Sequence, residues 1–408
     1  MKIAIVHDVI YPYSIGGAQK RNYEIVKRLV ERGHTIHWYG MKWWSGKNDI
    51  ISDEGVHLHG VCKKMELYTG REGQRSIKQT IFFAFYVLVA LLREKEKFDI
   101  IDCNSSLCFP LISSKIVSII KRTPLVATWL EVWDDYWYEY LGKSKGFIGK
   151  IIEKSTLRLT DNLSAISETT KNNILKITNI NKDRIKVIPI GIDFNHINGI
   201  DVSDFSFNFD NNFINKNNKL DVLFAGRLIK DKNVESLIRA INLVKKEISN
   251  VTCVIIGEGP EKEKLIKLTK DMNLEKNVKF FGILEGYEHL IKTMKISKIF
   301  AFPSTREGFG IVVIEANACG LPVIGVNSKN SRCVSELIKN KKNGYLLNCL
   351  NETLIAEKIN LLLKNNKLRQ KMSENGIRVA ERYNWDNIID EIESFYLKII
   401  NNNKISKK

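Results

Sequence analysis

No Cys-x-x-Cys pair occurs in the 408 residues, and the seven cysteines, at 62, 103, 108, 253, 319, 333 and 349, are scattered and odd in number. That excludes a disulfide framework or a zinc site as the organising feature and suits a reducing cytoplasm. Long apolar runs are missing as well. The longest, Ile81 to Leu92, has 12 residues and closes on Arg-Glu-Lys-Glu-Lys. It is too short to span a bilayer and reads as a buried helix. The first residues, Met-Lys-Ile-Ala-Ile-Val-His-Asp, lack the charged start, long apolar stretch and cleavage site of a signal peptide and read as a first strand. Zinc fingers, ribonucleoprotein motifs and basic heptads are absent, so nothing points to nucleic acid. A phosphate-binding G-x-x-x-x-G-K-[ST] loop is absent, which disfavours a nucleotide hydrolase. A dinucleotide fingerprint fails at its third glycine: Gly257 and Gly259 fit, but Lys262 stands where the last should be.

What is present is a soluble globular composition, 44% hydrophobic and 27% charged. The length exceeds one ordinary core and predicts two domains. The net charge of +17 is spread over the chain, with 31 basic against 24 acidic residues in 1–219 and 32 against 22 in 220–408. Such an excess suits anionic partners, nucleotide phosphates or an acidic membrane surface. The joint richness in Lys, Asn and Ile fits a genome-wide bias equally well.

Two series of alternating strands and helices stand out. The first runs through KIAIVHD, TIHWY, FDIID, LVATW, LSAIS and IKVIPI, with an amphipathic helix over Ala18 to Arg32 ended by Gly33. The second runs through LDVLFAG, VTCVIIG, VKFFG, KIFAFP, PVIGV and GYLL. Between them lies a polar, Asn-rich stretch, 201–219, that reads as a linker. This pattern predicts an α/β protein with two doubly wound parallel sheets, ligands sitting at the carboxyl ends of the strands. The expected domains are 1–200, 220–383 and a final helix with a basic tail, 384–408.

The chemistry-bearing residues concentrate in the second half. Arg227 lies where a strand ends and Lys232 where the next helix begins. A third element, the helix opened by Gly308, Phe309 and Gly310, presents free backbone N–H groups and a positive dipole end. Together they suit a diphosphate. Glu307 precedes that helix and Glu315 sits inside it, about one and a half turns from its start, roughly 8 Å along the axis. A carboxylate can grip vicinal hydroxyls, so one glutamate could hold a ribose and the other a sugar. The other reading is a buried glutamate paired with an arginine such as Arg332. In the first half, Gly16-Gly17 follows the first strand, either to let the backbone approach a phosphate or as a simple tight turn.

The stretches GGAQKRNYEIVKRLVERGH, FAGRLIKDKNVESLIRA, VIIGEGP, VKFFG and PSTREGFGIVVIEANACGLPVI resemble the family-4 retaining glycosyltransferases of GT-B fold. The likeness covers nearly the whole chain and is strongest over 220–345. It rests on E-x7-E, Glu307 to Glu315, following Arg227, Lys232 and Gly-Glu-Gly-Pro in order. The resemblance implies two Rossmann-like domains facing across a cleft, with the last helix returning to the first domain, and an enzyme that moves a sugar from a nucleotide sugar (UDP-, GDP- or similar) to a hydroxyl acceptor, glycan, lipid-linked or small. By similarity, Arg227 and Lys232 grip the diphosphate and Glu315 the ribose. Glu307 with Gly308, Phe309 and Gly310 holds the sugar, Gly282, Ile283 and Leu284 flank the base, and Gly16 and Gly17 close on the phosphates. The acceptor sits on the first domain. No cofactor and no metal are expected; D-x-D, which metal-dependent glycosyltransferases of the other main fold use, does not occur. Fixed Arg and Lys charges would stabilise the leaving diphosphate instead.

Trp129, Trp133 and Trp137 recur every four residues, one face of a helix, and serve either as core or, with Glu131, Asp134 and Asp135, as an acceptor platform. His7-Asp8 ends strand one and reads as a capped, packed histidine. Leu130 stands where similar proteins often carry His. It keeps open a glycosyltransferase fold that has lost catalysis; a GT-B nucleotide-sugar epimerase is the enzymatic rival. The partners expected are the nucleotide sugar, the acceptor and peripheral contact with an anionic membrane, placing the chain in the cytoplasm at the membrane's inner face.

Overall fold

A computed structural model describes residues 1–13, 17–69, 74–105, 108–203, 205, 219–328 and 333–405. Most of the expected linker, together with Gly16 and Arg332, lies outside the described residues. The chain divides into two compact units: residues 1–190 with 386–408, and residues 191–385.

In the first unit the strands are β1 (Lys2–Val6), β2 (Thr35–Lys42), β3 (Ile50–Asp53), β4 (Val56–Lys63), a small pair β5 (Tyr68–Thr69) and β6 (Gln74–Arg75), then β7 (Ile100–Ser105), β8 (Leu125–Trp129), β9 (Asn162–Ala165) and β10 (Ile185–Val187). The helices are α1 (Gly17–Glu31), α2 (Ile77–Arg93), α3 (Phe109–Lys121), α4 (Tyr136–Thr156) and α5 (Glu168–Ile177). Among the described residues the main sheet runs β10-β9-β8-β7-β1-β2-β4-β3 and is parallel except for β3 against β4. A strand such as IAIV of β1 is continuously apolar and buried because helices cover both faces. Strands β3 and β4 carry no such run, which is why the sequence does not announce them.

Helix α2 differs from the expectation of a buried helix. Thr80, Phe83, Ala84, Val87 and Leu91 turn inward, while Ile81, Phe82, Phe85 and Tyr86 are exposed. The helix packs on the sheet and on α3, so only one side of its apolar run is covered.

The second unit opens with α6 (Phe194–Gly199). It continues with β11 (Leu220–Ala225), α7 (Val234–Val244), β12 (Cys253–Ile256), α8 (Lys262–Asp271), β13 (Val278–Phe281), α9 (Tyr287–Lys295) and β14 (Ser297–Phe302). Next come α10 (Ile311–Ala318), β15 (Val323–Val326), α11 (Val334–Leu337), β16 (Gly344–Leu347), α12 (Glu352–Lys364) and α13 (Asn366–Glu381). Its sheet is wholly parallel, in the order β13-β12-β11-β14-β15-β16. From β11 the chain winds outward through β12 to β13, then returns to the other side of β11 as β14. The carboxyl ends of β11 and β14 therefore flank the topological switch point, where a ligand crevice opens in such sheets.

The boundaries shift from those expected. Residues 191–200 belong with the second unit because α6 packs on α10. At the other crossing, Ile192 N donates to Tyr383 O (2.8 Å) and Trp385 N to Ile192 O (3.1 Å). The Trp385 ring sits against Gly191, where a Cβ would lie 2.5 Å from it. The last helix, α14 (Trp385–Ile405), lies from Asp386 onward with the first unit. Arg32 pairs with Asp390 (2.6 Å) and Glu393 (2.9 Å), Lys186 pairs with Glu391 (3.0 Å), and the Tyr396 hydroxyl donates to the buried Asp102 carboxylate.

Candidate active site

The loops after β11 and β14 are stitched together at the switch point. Thr305 N donates to Asp231 O (2.9 Å), and Asn233 Nδ2 donates to Thr305 Oγ1 (2.9 Å) and Pro303 O (3.3 Å). Asn233 takes a left-handed backbone, φ 49°, a conformation Asn tolerates better than most residues. This turn sets Lys232 facing the other loop.

Lys232 and Glu307 meet there. The Lys232 ammonium is bonded to Glu307 Oε1, and the same oxygen accepts from Ser304 Oγ at 2.8 Å. The ammonium also lies 5.3 Å from the centre of the Phe302 ring, within cation–π range. Cys333 Sγ donates to Glu307 O at 3.1 Å, fixing the backbone of that residue. Arg227, two residues past β11, is exposed.

Gly310 caps α10 with φ 92°, a left-handed conformation that favours glycine. Phe309 is buried edge-on against Tyr383, ring centres 5.9 Å apart. Glu315 is buried in α10 and its partner is a hydroxyl: Tyr287, first residue of α9, hydrogen-bonds to the carboxylate. Burial and that carboxylate push the Tyr287 phenol far above its ordinary pKa, so it stays a donor. Burial, with Glu315 nearby, also raises the Cys319 thiol. The glutamates flanking the turn are thus held differently, Glu307 by a charge and Glu315 by a neutral hydroxyl. Ser304 could have been found from its Ser-x-x-Glu spacing to Glu307. Tyr287 carries no local signal, since it reaches Glu315 only through the packing of α9 on α10.

Gly282, Ile283 and Leu284 follow β13, one strand beyond the β12 loop. A Cβ at Gly282 would meet Glu258 Oε1 at 2.7 Å, and Ile283 is 74% exposed. The glycines of Gly-Glu-Gly-Pro serve packing. A Cβ at Gly257 would lie 1.9 Å from Gly226 O, and one at Gly259 would lie 2.3 Å from Leu228 O. They let the β12 loop lie against the β11 loop, with Leu228 N donating to Glu258 O at 2.8 Å.

In the first unit, Gly17 is exposed as the first residue of α1. At the carboxyl ends of β1 and β7 a buried polar cluster gathers His7, Asp8, Arg21, Asn22, Gln79 and Asn104. Asp8 accepts from Arg75 and from Gln79 Nε2 (3.1 Å), while Arg21 Nη1 donates to Asn104 Oδ1 at 3.4 Å. Both His7 ring nitrogens and Arg21 Nε are buried without a hydrogen-bond partner among the described residues. His7 is packed as expected, and burial lowers its pKa. The tryptophans do not share a helix face. Trp129 ends β8, Trp133 lies in the following loop and Trp137 lies in α4, because the chain leaves the strand at Leu130. Trp133 and Trp137 pack with ring centres 4.7 Å apart. Asp134 and Asp135 pair with Lys150 at 2.8 and 2.6 Å, and Glu131 accepts from Trp133 Nε1 at 3.1 Å. Those three carboxylates have local partners, which argues against an acceptor platform.

His37, His59 and Glu94 bring potential metal ligands within 4.8 Å of one another. Their hydrogen bonds account for the grouping without an ion. His37 Nδ1 meets His59 Nε2 at 3.0 Å, Tyr39 donates to Glu94 Oε2 at 3.1 Å, and Glu96 N donates to Glu94 Oε1 at 3.0 Å.

Residues 206–379 match the family Glycosyl transferases group 1, and residues 15–196 match Glycosyltransferase Family 4. An uncharacterized glycosyltransferase of Methanocaldococcus jannaschii is 32% identical over 97% of this chain and 98% of its own. The chain belongs to the family-4 glycosyltransferases. Another family-4 relative, 24% identical over 97% of both chains, is the N-acetyl-alpha-D-glucosaminyl L-malate synthase of Bacillus anthracis. The fold is GT-B. HepE of Anabaena, solved with UDP, superposes over 97% of this chain and 99% of its own with a TM-score of 0.69 at 20% identity. WaaG, a glycosyltransferase involved in lipopolysaccharide biosynthesis, covers 96% of this family-4 chain and 98% of its own with a TM-score of 0.69 at 18% identity. The chain is accordingly a glycosyltransferase enzyme.

Proposed function

We propose that this glycosyltransferase moves a sugar from a nucleoside-diphosphate sugar to a hydroxyl acceptor, with retention and without a metal. The observation that carries the reading is the Lys232–Glu307 pair at the β11/β14 switch point, beside the start of α10. The incoming diphosphate takes Lys232 from Glu307, together with Arg227 and the N–H groups at the start of α10. Glu307, released, accepts hydrogen bonds from the transferred sugar. Glu315 and Tyr287 together receive the ribose, and exposed Ile283 with Gly282 and Leu284 meets the base. Fixed cations then stabilise the charge that grows on the leaving diphosphate. HepE, solved with UDP and with UDP-glucose, supports a uridine nucleotide as the first donor to try. The unpartnered polar atoms of His7 and Arg21 support an acceptor whose hydroxyls or anionic group pair with them, at the carboxyl end of β1 near Gly17. Peripheral contact with the cytoplasmic face of an anionic membrane belongs to the same proposal, supported by the net charge of +17.

The test is a panel of nucleotide sugars read by thermal shift, with and without a chelator. A ligand at 100 times its Kd stabilises by about 2.7 kcal/mol. The expected result is an unchanged shift with chelator for the donor that binds. Loss of the shift, restored by magnesium, overturns the fixed-charge account. Leu130, directly after β8, keeps a weakened binding protein as the second reading. Acceptor-independent donor hydrolysis separates that from an enzyme, and dependence of turnover on an added acceptor separates transfer from epimerisation.

A further inference from the structure

Helices α2, α3 and α4 cover the same face of the first unit's sheet: Phe83, Val87 and Leu91, Leu111 and Val117, and Ile152 all join one core. Their outer sides are apolar as well. Ile81, Phe82 and Phe85 of α2 are 47%, 47% and 60% exposed, and Ile119 and Ile120 of α3 are 64% and 61% exposed. The two helices pack side by side, with Ser113 Oγ donating to Ala84 O at 2.7 Å, so their outer stripes are neighbours. On α4, Phe147, Ile148 and Ile151 are exposed too. Single exposed apolar residues are ordinary; a run of large ones on adjacent helices marks a surface that meets something apolar.

Charge narrows what that is. Helices α2 and α3 carry four Lys or Arg and no Asp or Glu, while α4 adds four Lys, of which Lys150 is paired with Asp134 and Asp135, and two Glu, of which Glu139 is exposed. The other, Glu153, is buried and accepts from the backbone of Trp133 and Asp134. The acidic residues that follow α2 are engaged: Glu94 by Tyr39, and Glu96 by Lys2. The face of α2 and α3, apolar and rimmed by one sign of charge, complements an anionic surface with an apolar interior. A second copy of the same face would bring like charges together. No helix among the described residues is long and apolar enough to cross a membrane, so contact of this kind is interfacial.

We propose that the outer face of α2 and α3 lies on an anionic lipid bilayer. Phe82, Phe85, Ile119 and Ile120 enter the headgroup–acyl boundary, and Lys78, Arg93, Lys115 and Arg122 sit among lipid phosphates. This deepens the membrane contact of the proposed function and rests on it for its cellular sense, while its physical test does not need the enzyme reading.

The full-length protein is sedimented with phosphatidylglycerol–phosphatidylcholine vesicles and with phosphatidylcholine alone, at low and high salt. The wild type is expected to bind the anionic vesicles, and less at high salt. A Phe85→Ser/Ile119→Ser variant should bind about tenfold more weakly or worse, and Lys115→Glu/Arg122→Glu should lose the preference for anionic lipid. Unchanged thermal midpoints and nucleotide-sugar shifts show that both variants are folded. The proposal is overturned if the wild type fails to bind anionic vesicles. It also falls if a folded Phe85→Ser/Ile119→Ser variant binds as well as wild type, or if light scattering shows a wild-type dimer that this variant dissociates without any vesicle binding. Loss of nucleotide-sugar binding with vesicle binding intact would count against the enzyme reading and leave this surface standing.

Discussion

Lys232 cannot serve a diphosphate and Glu307 at full strength together, and that competition is measurable. Glu307→Gln leaves the ammonium without its counter-charge, so free nucleoside diphosphate should bind as well as before or a few-fold tighter. Nucleotide sugar should lose one charge-assisted contact, roughly 1.5–3 kcal/mol or about 10- to 100-fold in Kd. Isothermal titration with both ligands decides, and equal losses for the two would remove the sugar-holding role of Glu307. Lys232→Ala should weaken both ligands alike. At Glu315 the partner is neutral, so Tyr287→Phe deprives a buried carboxylate of its hydroxyl donor. That should cost about 1–3 kcal/mol of stability before any ligand is added. A folded Tyr287→Phe protein with unchanged stability in urea would show that the hydroxyl does not support Glu315.

Among elements, the two loop glycines of the second unit separate packing from ligand binding. Gly257→Ala meets a backbone carbonyl at 1.9 Å with φ 143°, and Gly259→Ala meets one at 2.3 Å. Neither obstacle is a flexible side chain, so each substitution should destabilise by about 2 kcal/mol or more, seen as a lowered midpoint in chemical denaturation. A normal midpoint with weakened nucleotide binding would instead assign these glycines to contact with the nucleotide. The sequence made β1, β2 and β7 to β16 legible because each is an apolar run bounded by turns. It hid β3 and β4, where His57 and His59 alternate with Leu58 and Gly60 and look polar. Of the candidate site, the residues could be named but their pairing could not. Lys232 and Glu307 are 75 positions apart and meet only because β14 returns to the other side of β11. The hidden strands also carry a titration. Burial, then His37, lowers the His59 pKa to about 4, and His37 is lowered by burial and by His57, against the pull of Glu94 and Glu96. The unfolded chain therefore binds more protons between about pH 4 and 6.5. Stability is full above that window and falls as pH drops through it. His59→Gln should flatten this slope relative to wild type, and identical slopes in pH-dependent urea melts would place the acid sensitivity elsewhere.

At the scale of the whole molecule, the chain ends in the unit where it begins. Ile388, Ile389, Ile392, Tyr396, Ile399 and Ile400 of α14 are buried. The Tyr396 hydroxyl reaches Asp102, whose other oxygen accepts from Thr128 at 2.9 Å, and burial holds that carboxyl above its usual range. Six such side chains at roughly 1.5–3 kcal/mol each contribute about 9–18 kcal/mol before the entropy of ordering the helix is subtracted. That is comparable to the entire stability of a domain, about 5–15 kcal/mol. The first unit should therefore fail to fold in a chain ending at Trp385. The second unit, which is continuous in sequence from Gly191 to Trp385, should keep its own cooperative transition. Because the proposed donor residues Arg227, Lys232, Glu307 and Glu315 all lie in that unit, the truncated chain should still bind nucleoside diphosphate while losing transfer. Denaturation followed by circular dichroism, with and without the nucleotide, tests both halves of the argument. Two intact transitions in the truncated chain would mean that α14 merely rests on the first unit. A single surviving transition that no nucleotide raises would mean that donor binding draws on residues outside 191–385.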